Sequence, residues 1–239
     1  MRSTSSDFKS RARDALSGNW FVAVIAGLIA SVLGGLAGSG SGISFNFESD
    51  DSATLEQLLN ELEIPQEMMG VILAAFAAIM VVAAIYSLVM FIIGSVVSIG
   101  YSQFNLELID GQSPNVGTLF SRFGQWKTAI WANLLVSIRV FLWSLLFVIP
   151  GIIASYSYAM VPMVMADNPD MTAKEALEES KRIMEGNRWR LFCLYFSFIG
   201  WSFVCLFTLG IAALWVTPYQ QASVAAFYRE IQREATPYA

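Results

Sequence analysis

Arg139 is the residue whose surroundings point most clearly to chemistry, because it is a single basic side chain within a long apolar stretch. Lys127 and Pro150 lie toward the two ends of that stretch, and a rise of about 1.5 Å per residue places Arg139 near the middle of a membrane-crossing helix. A charge at that depth costs at least ~2.5–3.5 kcal/mol on insertion scales. To reach the headgroups the side chain would have to span roughly 15 Å, about twice its length. We therefore expect Arg139 to point into the protein.

Two roles for Arg139 follow from the residue types near it. In a structural role, its guanidinium donates hydrogen bonds to helix-end carbonyls or to hydroxyls such as those of Ser155 and Ser157. In a functional role, it draws a phosphate or another anion into a water-filled cavity, since a planar guanidinium binds such groups well. Both roles stay open at the level of sequence.

Other reactive groups are scarce in this chain. It has no histidine, which excludes Ser–His nucleophiles, His-ligated metals and His proton relays. It has no Gly-rich nucleotide loop, no large basic patch, and no Asp or Glu within a predicted span. Cys193 and Cys205 are roughly 18 Å apart along a helix and cannot bridge each other. We therefore predict a protein that is not an enzyme and that binds no cofactor, metal or nucleic acid.

The composition indicates that membrane-spanning helices position Arg139 and its neighbours. The chain is 56% hydrophobic and 14% charged, with a mean hydropathy of +0.56, whereas soluble domains are about a quarter charged. Four apolar stretches are long enough to cross a bilayer, which takes about 20 residues: residues 20–38, 70–100, 128–166 and 191–228. The last two are nearly twice that length and are interrupted at residues 150–151 and 208–210. We therefore predict an all-α bundle of about six spans, arranged as three hairpins.

The distribution of Lys and Arg predicts the orientation of this bundle. Of the 14 Lys and Arg residues, all except Arg139 fall in segments that the six-span topology places on one side of the membrane, and such residues concentrate on the cytoplasmic side. The predicted organisation is a cytoplasmic amphipathic helix (1–18), a membrane domain (19–228) with an acidic outer loop (39–69) and cytoplasmic segments (101–127 and 167–190), and a cytoplasmic tail (229–239).

Three cytoplasmic segments share a pattern that we name the glycine–tryptophan motif: a short amphipathic stretch, then Gly, then Asn or Gln, then Trp shortly before a span. The three copies are residues 12–20, 119–126 and 182–189. A surface helix that ends at a glycine, with Trp at the headgroup level, gives this pattern. We expect a positive φ or an abrupt change of direction at Gly18, Gly124 and Gly186. The motif indicates an internal repeat, although Trp and Gly also commonly precede unrelated spans.

Helical spacing identifies the buried faces of these amphipathic stretches. In the helix that leads into the third copy, Thr172 and Glu175 form a capping box, and the predicted buried face is Ala173, Ala176, Leu177, Ser180, Ile183 and Met184. In the helix that leads into the first copy, the predicted stripe is Phe8, Ala12 and Leu16. A further amphipathic helix is predicted at residues 54–64 of the outer loop, where it caps the bundle or docks a partner.

Small residues and prolines carry the remaining packing signals. Ala74 with Ala78, Ala83 with Ser87 and Gly94 with Ser98 are pairs four residues apart, a spacing that lets helix backbones approach closely, within the chain or between copies. Pro162 and Pro218 are predicted to kink the fourth and sixth spans.

Several motifs in the second half of the chain occur together in a known family. They are Phe147-Val-Ile-Pro-Gly-Ile-Ile153, Tyr158, Pro162, Ala166-Asp-Asn-Pro169, Glu175-Ala, Ser180-Lys, Met184-Glu-Gly186, Ser197-Phe-Ile-Gly-Trp201, Thr208-Leu-Gly-Ile211, Pro218-Tyr219 and Phe227-Tyr228. On these motifs the chain resembles the bacterial integral membrane proteins of domain-of-unknown-function family 975. The resemblance implies a bacterial plasma membrane and a several-pass fold, and it implies no activity and no functional residues.

These patterns predict two different functions. The small-residue faces, the surface helices and the scarcity of catalytic groups favour a non-enzymatic accessory or scaffold subunit that acts through helix packing. Its partners would be membrane lipids and either another membrane protein or a second copy of the chain. The alternative is a small transporter or a lipid- or anion-handling protein that uses Arg139 in a mid-membrane cavity.

Overall fold

The computed structural model describes residues 4–34, 66–208 and 210–235. The described residues are 84% helical and contain no strand, so the all-α fold class is confirmed. The helices are α1 (Ser5–Leu16), α2 (Trp20–Val32), α3 (Gln66–Ile109), α4 (Trp126–Leu146), α5 (Val148–Tyr158), α6 (Val161–Asp167), α7 (Ala173–Met184), α8 (Arg188–Phe196), α9 (Ile199–Phe207) and α10 (Ala213–Ala235). Two short 3-10 segments, Val116–Phe120 and Phe123–Gln125, precede α4. Most of the predicted outer loop 39–69, including the predicted helix 54–64, lies outside the described residues.

The chain divides into two compact units, Ile43–Phe91 and the combination of Met1–Gly42 with Ile92–Ala239. In the smaller unit, the described residues form the first part of α3. The side chains of this part are exposed almost without exception from Val71 to Val89. An exposed, uninterrupted apolar surface is typical of a helix that faces lipid.

Four segments of the described chain are long and apolar enough to cross a membrane: Gly70–Ile109, Val116–Leu146, Val148–Asp167 and Arg188–Phe207. α1 and α2 meet at 106° and would add a fifth crossing if this bent pair is one span. The structure is therefore that of a multi-pass protein with about four spans, compared with six in the sequence prediction. α10 covers most of the predicted sixth span and is not among these segments, and its second half is buried within the protein.

The first predicted break is displaced along the chain. α4 ends at Leu146, and Phe147 has an extended backbone (φ −158, ψ 147). Pro150 is instead the third residue of α5. The backbone N–H groups of the first turn of a helix have no partner within the helix, so a proline, which lacks an N–H, is tolerated there. At Gly151, an added Cβ would lie 2.8 Å from the Cα of Ser144, so this close corner requires glycine. The second break is confirmed, since α9 ends at Phe207 and α10 begins at Ala213.

The first and third copies of the glycine–tryptophan motif have the same backbone. Ser17 (φ −62, ψ 120) directly follows α1 and Glu185 (φ −65, ψ 120) directly follows α7, and the next residues are Gly18 (φ +88) and Gly186 (φ +79). These angles are those of a type II turn, in which the third residue must adopt positive φ. The backbone hydrogen bond that closes such a turn is present in both copies, 2.9 and 3.1 Å long. Positive φ is therefore confirmed at Gly18 and Gly186.

The starts of α1 and α7 also match. Thr4 with Asp7 and Thr172 with Glu175 both form a capping box, of which only the second was expected from sequence. The predicted stripe of each helix is buried in full: Phe8, Ala12 and Leu16 in α1, and Ala173, Ala176, Leu177, Ser180, Ile183 and Met184 in α7. The two amphipathic predictions are therefore confirmed residue by residue.

The second copy of the motif is built differently. Gly124 lies inside the 3-10 segment Phe123–Gln125 and does not have positive φ. The segment before Gly124, Val116–Phe120, is a 3-10 helix, whereas an α-helix precedes Gly18 and Gly186. Gly124 therefore lacks positive φ, the first of the two forms that the expectation allowed, and the shared backbone holds for two copies rather than three.

Several helices of the larger unit pack against α10. α1 lies along it, with the rings of Phe8 and Phe227 edge to face at 5.4 Å, and α10 also contacts α2, α7 and α8. Phe227 and Tyr228 are almost completely buried. The two copies of the helix–turn–helix therefore meet the same helix.

Candidate functional site

Arg139 lies on α4 and is partly buried, with its guanidinium carbon 5.7 Å from the centroid of the Tyr158 ring. Tyr158 ends α5, which packs along α4. A cation over an aromatic face gains about 0.5–1 kcal/mol when exposed, and more when desolvated. Within the described residues, Arg139 makes no hydrogen bond and no ion pair. Tyr158 belongs to the family motifs of the sequence, but nothing in the sequence indicated that it contacts Arg139.

Ser155 and Ser157 do not complete this site through hydrogen bonds. Their hydroxyls donate to the carbonyls of Ile152 and Ile153 in their own helix, at 2.8 and 2.6 Å. Ser157 is buried, and its carbonyl accepts a hydrogen bond from the hydroxyl of Ser180 on α7. The structure thus joins Ser157 to α7 and places Arg139 against Tyr158 instead.

The two predicted kink prolines occupy different kinds of position. Pro162 lies in the first turn of α6, just after the helix breaks at Ala159 and Met160. Pro218 lies inside α10 and is buried. It approaches Gly27 of α2, where an added Cβ would come 3.7 Å from the proline ring and 3.1 Å from the hydroxyl of Tyr101. A larger residue at position 27 would require the Tyr101 side chain to shift by a few tenths of an ångström. The Tyr101 hydroxyl is buried and has no hydrogen-bond partner among the described residues.

An ion-pair cluster joins α10 to the ends of α3 and α6. We name it the Arg229 cluster: Asp110, Asp167, Tyr228, Arg229 and Gln232. Arg229 donates Nη1 to Asp167 Oδ2 at 2.7 Å and binds Asp110 through Nε at 3.0 Å and Nη2 at 2.5 Å. Gln232 also donates to Asp167, at 2.7 Å. Two oxygens of one carboxylate on one guanidinium form a bidentate pair, the strongest geometry for such bonds.

The Arg229 cluster stabilises the contact of α10 with the ends of α3 and α6 through ion pairs. Burial opposes the charge of Arg229, but the hydrogen bonds with Asp110 and Asp167 outweigh it and raise the pKa of the guanidinium. Two of the motifs that carry the family resemblance meet here, since Asp167 belongs to one and Tyr228 to the other. Sequence reasoning missed the cluster, and the presence of both residues among the motifs was the signal that could have indicated it.

A second set of ion pairs joins α10 to both helix–turn–helix copies. Glu230 binds Arg190 of α8 at 2.6 Å and Arg11 of α1 at 3.6 Å, while Glu234 binds Arg190 at 3.0 Å. Arg190 and Glu230 are each only 15% exposed, which makes their pair better shielded than the pair of Glu230 with Arg11. We name these four residues the Glu230 bridge.

Lys9 reaches from α1 to the junction between α8 and α9. Its Nζ donates to the carbonyl oxygen of Ser197 at 2.7 Å and lies 4.3 Å from the centre of the Phe198 ring. Burial lowers the pKa of Lys9. Because the chain breaks between α8 and α9, the carbonyl of Ser197 lacks a backbone donor within these helices, and the Lys9 ammonium donates to it instead.

The described ranges contain acidic side chains and two cysteines, which are residue types that can bind a metal ion. Among those residues, no group of three or more acidic, Cys or His side chains could hold a metal ion. Cys193 and Cys205 are free and partly buried.

A family model matches one segment of this chain, which begins at the end of α4 and continues to the end of α10. No curated protein and no solved structure matches the chain. Residues 145–235 match the model of the family described as "Protein of unknown function (DUF975)", and the resemblance found in the sequence is therefore confirmed for this segment.

Proposed function

We propose that the chain is a non-enzymatic integral membrane protein that acts as an accessory or scaffold subunit through lateral helix packing. The observation that supports this most directly is the exposed part of α3, where Ala74, Ala78, Ala83 and Ser87 all face outward. Pairs of small residues four apart let another helix backbone approach closely. At 100° per residue, the pair at 74 and 78 lies opposite the pair at 83 and 87. This part of α3 therefore offers two faces to neighbouring helices.

The other end of α3 shows what such a contact looks like when it is made. Gly94 is buried, and a Cβ added there would lie 2.6 Å from the carbonyl oxygen of Gly34, which follows α2. That backbone-to-backbone approach is what a small residue permits. The exposed pairs consist of alanine and serine, which are also small residues, so we infer that a helix of another protein or of a second copy packs against them.

The scaffold proposal is tested by adding bulk to one small-residue face. Ala78→Leu should lower recovery of a differently tagged second copy, or of a partner protein, in a mild-detergent pull-down. Ala77→Leu is the matched control, because it adds the same bulk about 100° around the helix. Equal recovery with both variants would contradict the proposal.

We further propose six spans arranged as three hairpins, with both termini on the cytoplasmic side of a bacterial plasma membrane. The support is the one-sided distribution of Lys and Arg. Single cysteines at Ser52 and Lys181, in a chain without Cys193 and Cys205, test this orientation. Lys181 is exposed, so labelling there reports the side of the membrane rather than burial. An impermeant thiol reagent added to intact cells should label position 52 and not 181, and the reverse result would exclude this orientation.

A second function is supported by Arg139, whose guanidinium has only the Tyr158 ring as a partner within the described residues. In this alternative, the chain is a small transporter or a lipid- or anion-handling protein, and Arg139 binds the anion with Ser155 and Ser157 nearby. Arg139→Leu separates the two roles, with Arg139→Lys as the charge-preserving control. Folded protein that has lost anion binding would support the functional role, whereas loss of folded protein would support the structural one.

A further inference from the structure

One side of α8 combines an unpaired cation with a row of exposed aromatic rings. We name it the α8 face: Arg188, Trp189, Phe192 and Phe196. The rings of Trp189 and Phe192 stack at 5.0 Å, and those of Phe192 and Phe196 at 6.0 Å. Trp189 is 71% exposed and Phe196 62%. At 100° per residue, all four side chains fall within about 100° of the helix circumference.

Arg188 differs sharply from Arg190, two residues further along the same helix. Arg190 is bound by Glu230, Glu234 and Asn187. The Nε of Arg188 is buried with no partner, and the rest of its guanidinium makes no hydrogen bond or ion pair within the described chain. A buried donor left unpaired costs about 1–3 kcal/mol, and more for a charged group. An anion that accepts from the Nη groups would give this charge a partner.

We propose that the α8 face binds a phospholipid with an anionic headgroup. Arg188 holds the phosphate through its planar fork of donors, which matches phosphate oxygens in pairs. Trp189 lies at the level of the headgroups, the usual position of this side chain in membranes. The acyl chain lies along Phe192 and Phe196, which continue the row for roughly 12 Å from Arg188 at the helical rise. This site requires only that α8 is in the membrane and does not depend on the scaffold role.

The charge is tested in the full chain, purified in mild detergent and titrated with phosphatidylglycerol, with bound lipid counted by native mass spectrometry. Arg188→Gln should weaken binding about tenfold, the effect of losing one charge-assisted pair. Lys181→Gln is the matched control, because it removes the same charge from an exposed position on α7. Equal affinities of the two variants would overturn the proposal, and so would equal binding of phosphatidylcholine and phosphatidylglycerol by the unmodified chain.

The aromatic row distinguishes a lipid from a free phosphate. Phe192→Ala keeps the charge and should weaken binding of phosphatidylglycerol while leaving competition by inorganic phosphate unchanged. A Phe192→Ala variant that binds phosphatidylglycerol as tightly as the unmodified chain would assign the site to free phosphate and overturn the lipid. This variant also tests the site if Arg188→Gln does not give folded protein, which size-exclusion chromatography would show.

Discussion

The segments 4–19 and 172–187 have the same backbone although they share few residues. Each begins with Thr in a capping box, continues as a 12-residue helix, and ends in a type II turn at Gly18 or Gly186. The identical residues at equivalent positions are the first Thr, the Gly and the Asn that follows it. The local geometry is therefore specified by the two ends of the helix, where backbone groups need a cap or a left-handed residue.

The helical faces between those ends differ, and they select different neighbours. α1 has a narrow stripe that packs along α10, whereas α7 has a broader buried face that contacts α4, α5 and α6. Lys9 on α1 binds the carbonyl of Ser197, and the equivalent position on α7 is the fully buried Leu177. The comparison teaches that one helix–turn–helix can serve two packing roles when its caps are kept and its face is changed.

The largest expected effect is in the buried stripes. Leu16→Ala and Met184→Ala replace equivalent, fully buried side chains, and each should lower the free energy of unfolding by about 2–5 kcal/mol. Denaturant unfolding in detergent micelles measures the change. Ser10→Ala, on the exposed side of α1, is the control and should change stability by less than about 0.5 kcal/mol. A large loss at one position only would show that the copies are not equivalent in packing.

The next effect concerns the Glu230 bridge, which joins both copies to α10. Glu230→Gln should lower the free energy of unfolding by about 1–3 kcal/mol, because Arg190 loses a charged partner in a shielded position. Double-mutant cycles with Arg190→Gln and Arg11→Gln measure the two couplings. The Arg190 coupling should be larger, since that pair is shorter and less exposed. Equal couplings would contradict this ranking.

Adding a single methyl group at the glycine of either type II turn should destabilise the protein. Gly18→Ala and Gly186→Ala should each cost about 1–2 kcal/mol, the strain of an L-residue in the left-handed region. The added Cβ would meet nothing within 4 Å at either site, so the cost would come from the backbone alone. Gly124→Ala is the control: its Cβ is equally free, but its φ is not positive. Thermal unfolding of the three variants compares them, and an equal loss at Gly124 would show that the turns are not special.

The smallest effect is a dependence of α1 and α7 on acid. Backbone and side-chain hydrogen bonds from Thr4 and Thr172 lower the pKa of Asp7 and of Glu175 below their ordinary values of 3.8 and 4.5. The stabilisation is therefore fully present above those values and is lost as the pH falls through the folded-state pKa. Circular dichroism below pH 4.5 should show a slight loss of helix. Asp7→Asn with Glu175→Gln should remove this part of the pH dependence.

The sequence was informative where structure depends on neighbouring residues. The stripe of α7 was predicted residue by residue, because a period of 3.6 residues is a local property of one helix. The break before α5 was misplaced by three residues, since a proline is tolerated in the first turn of a helix as well as in a loop. α10, which covers most of the sixth predicted span, is less apolar than the four candidate membrane spans, and the protein buries its second half.

The contacts of the candidate site could not be predicted in this way. Arg229 binds Asp110 across a separation of 119 residues, and the pairing depends on how three helix ends approach each other. The ring beneath Arg139 is a further case. Position 139 was expected to need a partner, but which side chain of α5 would face it depends on the rotation of that helix, and this selected Tyr158 rather than Ser155 or Ser157.

The packing of Phe8 against Phe227 has a consequence for the order of assembly. α1 is synthesised roughly 200 residues before α10, and translation at about 5–20 residues per second separates the two by roughly 10–40 seconds. Throughout that interval the stripe of Phe8, Ala12 and Leu16 lacks the helix that covers it in the folded protein. We expect the nascent α1 to rest on the membrane surface and to leave it when α10 emerges. A ribosome-bound chain halted before residue 213 should therefore show α1 in contact with lipid, and crosslinking of α1 to protein alone would contradict this order.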